Sequence, residues 1–156
     1  MSLYIFHKGL HMKRFFWLIA FLVLPLTACD GCISALSREG GVLVSNQIDN
    51  ESHQQIQKNA LLNEGEEALV YYDVTISLDG SESYLITNTH IKHYRDGRTS
   101  KMALKDIQTI VHQDLSLEGD RITISDGNKK LIFTVAPFNG GDVFLQELRE
   151  KSPQAQ

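Results

Sequence analysis

Two cysteines, six histidines and 19 carboxylates are the side chains in this 156-residue sequence best suited to chemistry. Their spacing restricts what that chemistry can be. Cys29-Asp30-Gly31-Cys32 has the C-x-x-C spacing of a redox pair. No strand pattern leads into it, and no further cysteine exists to complete a zinc site. His90 and His93 lie three residues apart, which on a strand puts them on opposite faces and denies them a shared metal ion. His53 and His112 have no evident partner in the pattern. There is no G-x-S-x-G nucleophile elbow. Glu66 and Glu67 mark a strand entrance rather than an acid–base pair, and Asp73 falls on the outer face of a strand, where water should reach it. The expectation is a chain without catalytic residues, metal or cofactor: a binding or scaffolding protein and not an enzyme.

The elements that position these groups begin with an export pattern. Lys13 and Arg14 precede an apolar run over residues 15–26 that only Pro25 interrupts. Two cations before such a run form the n-region and h-region of a secretory signal. The run is short of the about 20 apolar residues that a membrane span requires. Met12, just before the two cations, is a candidate for the true start.

Leu26-Thr27-Ala28-Cys29 follows at the right distance and resembles the bacterial lipobox, with Leu at −3, small residues at −2 and −1, and Cys at +1. The resemblance identifies the chain as a bacterial lipoprotein. It implies diacylglycerol on the Cys29 thiol, cleavage between Ala28 and Cys29, and acylation of the new amine by a chain such as palmitate. An ordinary cleaved signal or an uncleaved anchor, with Cys29 incidental, is the alternative. One acyl chain binds a membrane only marginally, at about 0.8 kcal/mol per buried methylene, whereas two or three make release slow. A thioether cannot form a disulfide, so this reading dissolves the redox pair. Cys32 is left as an odd thiol: free, capped, or bridged to another molecule. Asp30 resembles the residue that retains enteric lipoproteins in the inner membrane. The periplasmic face of that membrane is therefore the favoured location in the cell envelope, with the outer membrane second.

Charge narrows the partners. Residues 1–28 hold Lys8, Lys13 and Arg14 and no acid. Without those three, 12 basic residues face 19 acidic ones, a net −7. Such a domain repels nucleic acid and anionic surfaces. The remaining composition, 42% hydrophobic and 22% charged with three prolines, suits one globular domain rather than a disordered chain.

Residues 29–63 read as a tether that holds the domain clear of the headgroups, with Gly31, Gly40, Gly41, Ser34, Ser37 and Ser45 in its first part. It has room for a short strand over 41–45 and a helix over 50–63, which Asn50 would cap and Gly65 would end, with a solvated glutamine-rich face. From residue 66 the period changes to two. Strands are expected over 68–78, 84–87, 90–94, 99–104, 107–112, 121–125 and 131–135. Asp79-Gly80, Asp96-Gly97 and Asp126-Gly127 supply hairpin turns. Pro137 stops the last strand. A helix over 142–151 follows, capped by Asn139 or Asp142, with Val143, Phe144, Leu145 and Leu148 as its apolar stripe. Residues 152–156 read as a disordered tail.

Five pieces of this pattern occur in the order seen in bacterial pleckstrin-homology-like (PH-like) domains. They are Gly65-Glu66-Glu67, Tyr84-Leu85-Ile86-Thr87-Asn88, Ala103-Leu104-Lys105-Asp106-Ile107, residues 132–137, and Phe144 with Leu148. Residues 64–151 thus resemble that family. The resemblance implies a mainly β fold: a seven-stranded antiparallel split barrel capped by a C-terminal helix. Some eukaryotic relatives clamp phosphoinositides with bases around the first hairpin. Here residues 78–83 hold Asp79 and Glu82 and no base, so an anionic headgroup would be repelled. Arg95, Arg98 and Lys101 gather near the second hairpin and read as a solvated turn. The leading expectation is a membrane-tethered module that binds an envelope protein or peptide at an exposed strand edge. An architectural envelope protein without a specific ligand and a lipid-headgroup binder are the alternatives.

Mass spectrometry of the protein extracted from membranes should find a mature N-terminus at Cys29 carrying diacylglycerol. Cys29→Ala should move the protein out of the membrane fraction.

Overall fold

Alternating side chains build the first sheet of the computed structural model, which describes residues 40–155. Ala28, Cys29, Asp30 and Cys32, and with them the export signal and the lipobox, lie outside the described residues. Strands β1 (Leu43–Val44), β2 (Ala68–Asp73), β3 (Glu82–Thr87), β4 (His90–Arg95) and β5 (Arg98–Ala103) pair antiparallel in that order. Residues directly opposite in such a ladder share a face. The row Val44, Val70, Ile86, Ile91, Met102 therefore lies on one side and the row Leu43, Tyr71, Leu85, Lys92, Lys101 on the other.

A second antiparallel sheet follows, with β6 (Thr109–Asp114), β7 (Asp120–Ser125) and β8 (Lys130–Val135) in sequence order. The main core lies between the sheets. Val70, Tyr72, Tyr84, Ile86, Ile91 and Met102 meet Ile122, Ile124, Leu131, Phe133 and Val135 there. The C-terminal helix α2 (Gly141–Lys151) closes one corner with buried Phe144, Leu145 and Leu148. Two tyrosines bridge the gap between the sheets: the Tyr84 hydroxyl accepts from Thr134 N at 3.2 Å and the Tyr72 hydroxyl from Ala136 N at 3.1 Å. The architecture is mainly β with a C-terminal helix, and the two sheets share no paired strand.

The segment expected to be a tether is part of the domain from Gly40 onward. Its helix, α1 (Asn50–Lys58), lies over the outer face of the first sheet, where Ile48, Ile56 and Leu61 bury Tyr71 and Leu85. Burial of about 1.5–3 kcal/mol per large apolar side chain holds it there. Gln54 and Gln57 are exposed, as expected of a solvated face, whereas Gln55 and Asn59 turn toward the sheet. Gln55 accepts from the Tyr71 hydroxyl at 2.8 Å and donates to Leu78 O at 2.6 Å, and Asn59 donates to Gly80 O at 2.9 Å.

Several boundaries differ from the sequence expectation for identifiable reasons. Asp49, not Asn50, caps α1, accepting from Ser52 N at 2.7 Å. The helix stops at Lys58 rather than at 63. Ala60 takes φ +49°, Ala60 N donates to Gln57 O, and Leu61 N donates to Ile56 O. That is a Schellman ending with alanine at the left-handed position. Strand β2 ends at Asp73 instead of 78. The Asp73 carboxylate is buried, not solvated, and accepts from Thr75 N at 2.9 Å and Gly80 N at 2.8 Å, so residues 74–81 fold into a loop around it. Neither Asn139 nor Asp142 caps α2, whose N-cap is Gly140 at φ +83°. Val143 stays 38% exposed. The expected tail folds back: Ser152 is buried, Ala155 packs on the main core, and Gln154 donates to Leu104 O at 3.1 Å.

Gly119 is confined by its neighbours. A Cβ there would lie 2.1 Å from Val135 O, and the residue sits at φ +88° in the β6–β7 turn. No helix among the described residues is long and apolar enough to cross a membrane.

Ala60 is exposed, so its side chain contributes little packing, while its left-handed backbone costs about 1–2 kcal/mol for a residue with a Cβ. Ala60→Gly should raise unfolding stability by about 1 kcal/mol, read as a higher denaturant midpoint at unchanged slope.

Candidate docking surface

The polar groups singled out in the sequence are drawn into structural bonds. Glu66 has a side chain only 4% exposed. One carboxylate oxygen accepts from Thr89 Oγ1 at 2.7 Å and Thr87 Oγ1 at 3.2 Å and lies 2.8 Å from His90 Nδ1. The other accepts from Asn63 N at 2.7 Å and pairs with Lys92 Nζ, whose side chain is 3% exposed and also donates to Leu61 O at 2.6 Å. Burial alone would push the Glu66 carboxyl up. The Lys92 ammonium, the Asn63 amide, Thr89 and His90 together overcome that and hold it well below the ordinary carboxylate range.

His90 and His93 do face opposite ways. His90 lies on the α1 side beside Glu66, and His93 lies on the other, 2.8 Å from Glu82 Oε1, its ring edge-on to Tyr84 at 4.9 Å. His112, without a partner in the sequence pattern, has one in the fold: its Nε2 lies 2.6 Å from Asp120 Oδ1. His53 is exposed on α1. Among the described residues no group of three or more His, Cys, Asp or Glu side chains could hold a metal ion.

The expected cationic gathering at the second hairpin divides. Asp96 and Gly97, at φ +47° and +80°, form the tight two-residue turn that the sequence suggested. Arg95 and Arg98 oppose each other on the His93 face, but Lys101 opposes Lys92 on the α1 face. Glu82 lies 3.6 Å from Arg95 and partly neutralises it. At the first hairpin, hydrogen bonds from Ser81 and Ser77 pull the Asp79 carboxyl down to about 2, so it remains an anion. The first hairpin presents acids, whereas at the second His93, Arg95, Arg98 and Ser100 line one open pocket with Asp96.

What remains uncovered is the outer face of the second sheet. Val111, Thr123 and Ile132 stand in one cross-strand row. Val111 is 53% and Ile132 54% exposed, and no element among the described residues packs over them. The row ends on β6, which pairs only with β7. Edge strands are usually blunted by shortness, lysine or proline. β1 is two residues long, and β5 carries Arg98 and Lys101. β6 has six residues, Thr-Ile-Val-His-Gln-Asp, and neither lysine nor proline. The sequence reading put this strand at 107–112. Ile107 instead turns into the main core, and the strand proper runs two residues further.

No protein-family model matches the chain, and no curated protein matches it. The fold, two antiparallel sheets closed at one corner by a C-terminal helix, is like that of pleckstrin-homology domains. Among solved structures, the chain is similar in fold to a DUF1696 family protein with a pleckstrin-homology domain from Shewanella loihica PV-4. The TM-score is 0.50 at 10% identity, over 73% of this chain and 99% of that one.

Glu66→Gln strands the Lys92 ammonium in the interior, a change that costs about 3–5 kcal/mol for a broken buried pair. A carboxyl lowered on folding stabilises fully above its ordinary value of 4.5 and loses that contribution as pH falls below it. The stability gap between wild type and Glu66→Gln, measured by urea unfolding, should be full at pH 7 and shrink below pH 4.5.

Proposed function

We propose that this protein is a lipid-anchored envelope protein whose PH-like domain binds a protein or peptide segment along β6. The anchor is Cys29, and the favoured site is the periplasmic face of the inner membrane, from the resemblance at residues 26–30. The observation that carries the binding role is an edge strand without lysine or proline, beside a bare apolar row.

An extended segment added to β6 gains main-chain hydrogen bonds, and Val111 beside it gives its alternate side chains an apolar contact. The mature chain's net −7 favours a segment of neutral or positive charge. Tethering raises the effective concentration of the domain near membrane partners. The first sheet offers no comparable face, because α1 and the ion pair of Glu66 with Lys92 occupy it.

A photo-crosslinking residue at Gln113 should give one adduct of defined mass in cells, and the same residue at Thr99 on the β5 edge should give none. Val111→Lys should weaken that adduct about 10-fold, the effect of removing one buried apolar contact, without lowering unfolding stability. A chain with no adduct at residue 113 is an architectural protein instead.

A further inference from the structure

Ile76 and Phe138 are fully exposed and Leu117 is 87% exposed, more than any other large apolar side chain among the described residues. They belong to three different loops: residues 74–81, 136–140 and 115–119. The fold brings these loops to one end. Val42 N donates to Asn139 O at 2.9 Å, which ties the start of the domain to the 136–140 loop. A Cβ on Gly40 would lie 3.5 Å from Leu78 Cδ2, which places that start against the 74–81 loop. Gly119 lies against Val135, Ala136 and Pro137, which brings in the third loop.

The loops hold these tips outward. Asp79 organises the first, accepting from Ser81 N at 2.9 Å and from Ser77 Oγ at 2.8 Å. Phe138 takes φ +65°, an unusual backbone for an aromatic residue that contributes nothing to the core. None of the three loops contains Lys, Arg or His, whereas Asp79 and Glu118 are acids. The patch is therefore shaped for apolar contact and not for an anion.

The place where the chain enters the domain indicates what covers this patch. Gly40 sits at the same end, and eleven residues lead back from it to Cys29. Fully extended, that stretch reaches at most about 40 Å. We propose that Ile76, Leu117 and Phe138 form a membrane-docking tip that enters the bilayer interface below the headgroups and orients the tethered domain with β6 free at its side. This inference rests on the anchor at Cys29. The occupant is the lipid interface itself: shallow insertion of apolar loop tips needs no headgroup recognition.

The sole tryptophan, Trp17, precedes Cys29, so the mature chain offers a dark background for fluorescence. The mature chain carrying Cys32→Ser would be coupled through the Cys29 thiol to a maleimide lipid in phosphatidylcholine vesicles with brominated acyl chains. Ile76→Trp, Leu117→Trp and Phe138→Trp should each show blue-shifted emission and bromine quenching, and Ile132→Trp on the second sheet should show neither. Unshifted emission at all three tips overturns the proposal. So does equal quenching at residue 132, or quenching that appears only when anionic lipid is added. Because coupling is chemical, these readings do not depend on native acylation. That is judged separately by the mass of the protein extracted from cells, and an unacylated mass would end the anchor reading while leaving the tip measurement intact.

Discussion

The Glu66 carboxylate fastens the outer layer of this domain to its first sheet. Its neighbours come from two separate stretches of chain: Asn63 before β2, and Thr87, Thr89, His90 and Lys92 from the β3–β4 hairpin. The hairpin residues lie 21 to 26 positions from Glu66 in the sequence, so only the fold brings the two stretches together. Once they meet, the segment between α1 and β2 cannot lift away without exposing Ile48, Ile56, Leu61, Tyr71 and Leu85. An ion pair in this position need not add net stability over a hydrophobic replacement. What it provides is geometry: a lysine in the row Leu43, Tyr71, Leu85, Lys92, Lys101 has to be met by a carboxylate arriving from one direction.

That constraint makes the two sheets unequal. The first is covered on one side by the second sheet and α2 and on the other by α1 over β2 to β4, with β5 left exposed from Arg98 to Lys101. The second sheet is buried on one face only. An antiparallel sheet tolerates this because its alternation can leave one face polar. Here Val111 and Ile132 interrupt the polar face, next to the six-residue edge of β6. This asymmetry distinguishes one surface of the domain from another.

Much of the fold was legible in the sequence where local chemistry and tertiary context agree. Asp96-Gly97 turns as expected because both residues can take positive φ, and Phe144, Leu145 and Leu148 fall on one helical stripe. Legibility failed where a distant partner decides. The alternation from residue 68 to 78 looked like one strand, but buried Asp73 draws Thr75 and Gly80 around itself and ends the strand early. Gly65 looked like the helix stop, while Ala60 takes that role because Leu61 is drawn into the second core. Polar composition made residues 40–63 look like a spacer, since three buried side chains among many glutamines and asparagines carry little pattern. The docking surface was half visible. A strand near residue 110 was evident, but its edge position depends on sheet order, which periodicity does not encode.

Gly119 has a mechanical consequence. With no room for even one carbon between the β6–β7 turn and the β8 backbone, the two are pressed together like the jaws of a closed clasp. Leu117 projects from one jaw and Phe138 from the strap that leaves the other. The contact thus joins the bases of both loops to the end of β8, whose Phe133 and Val135 lie in the core.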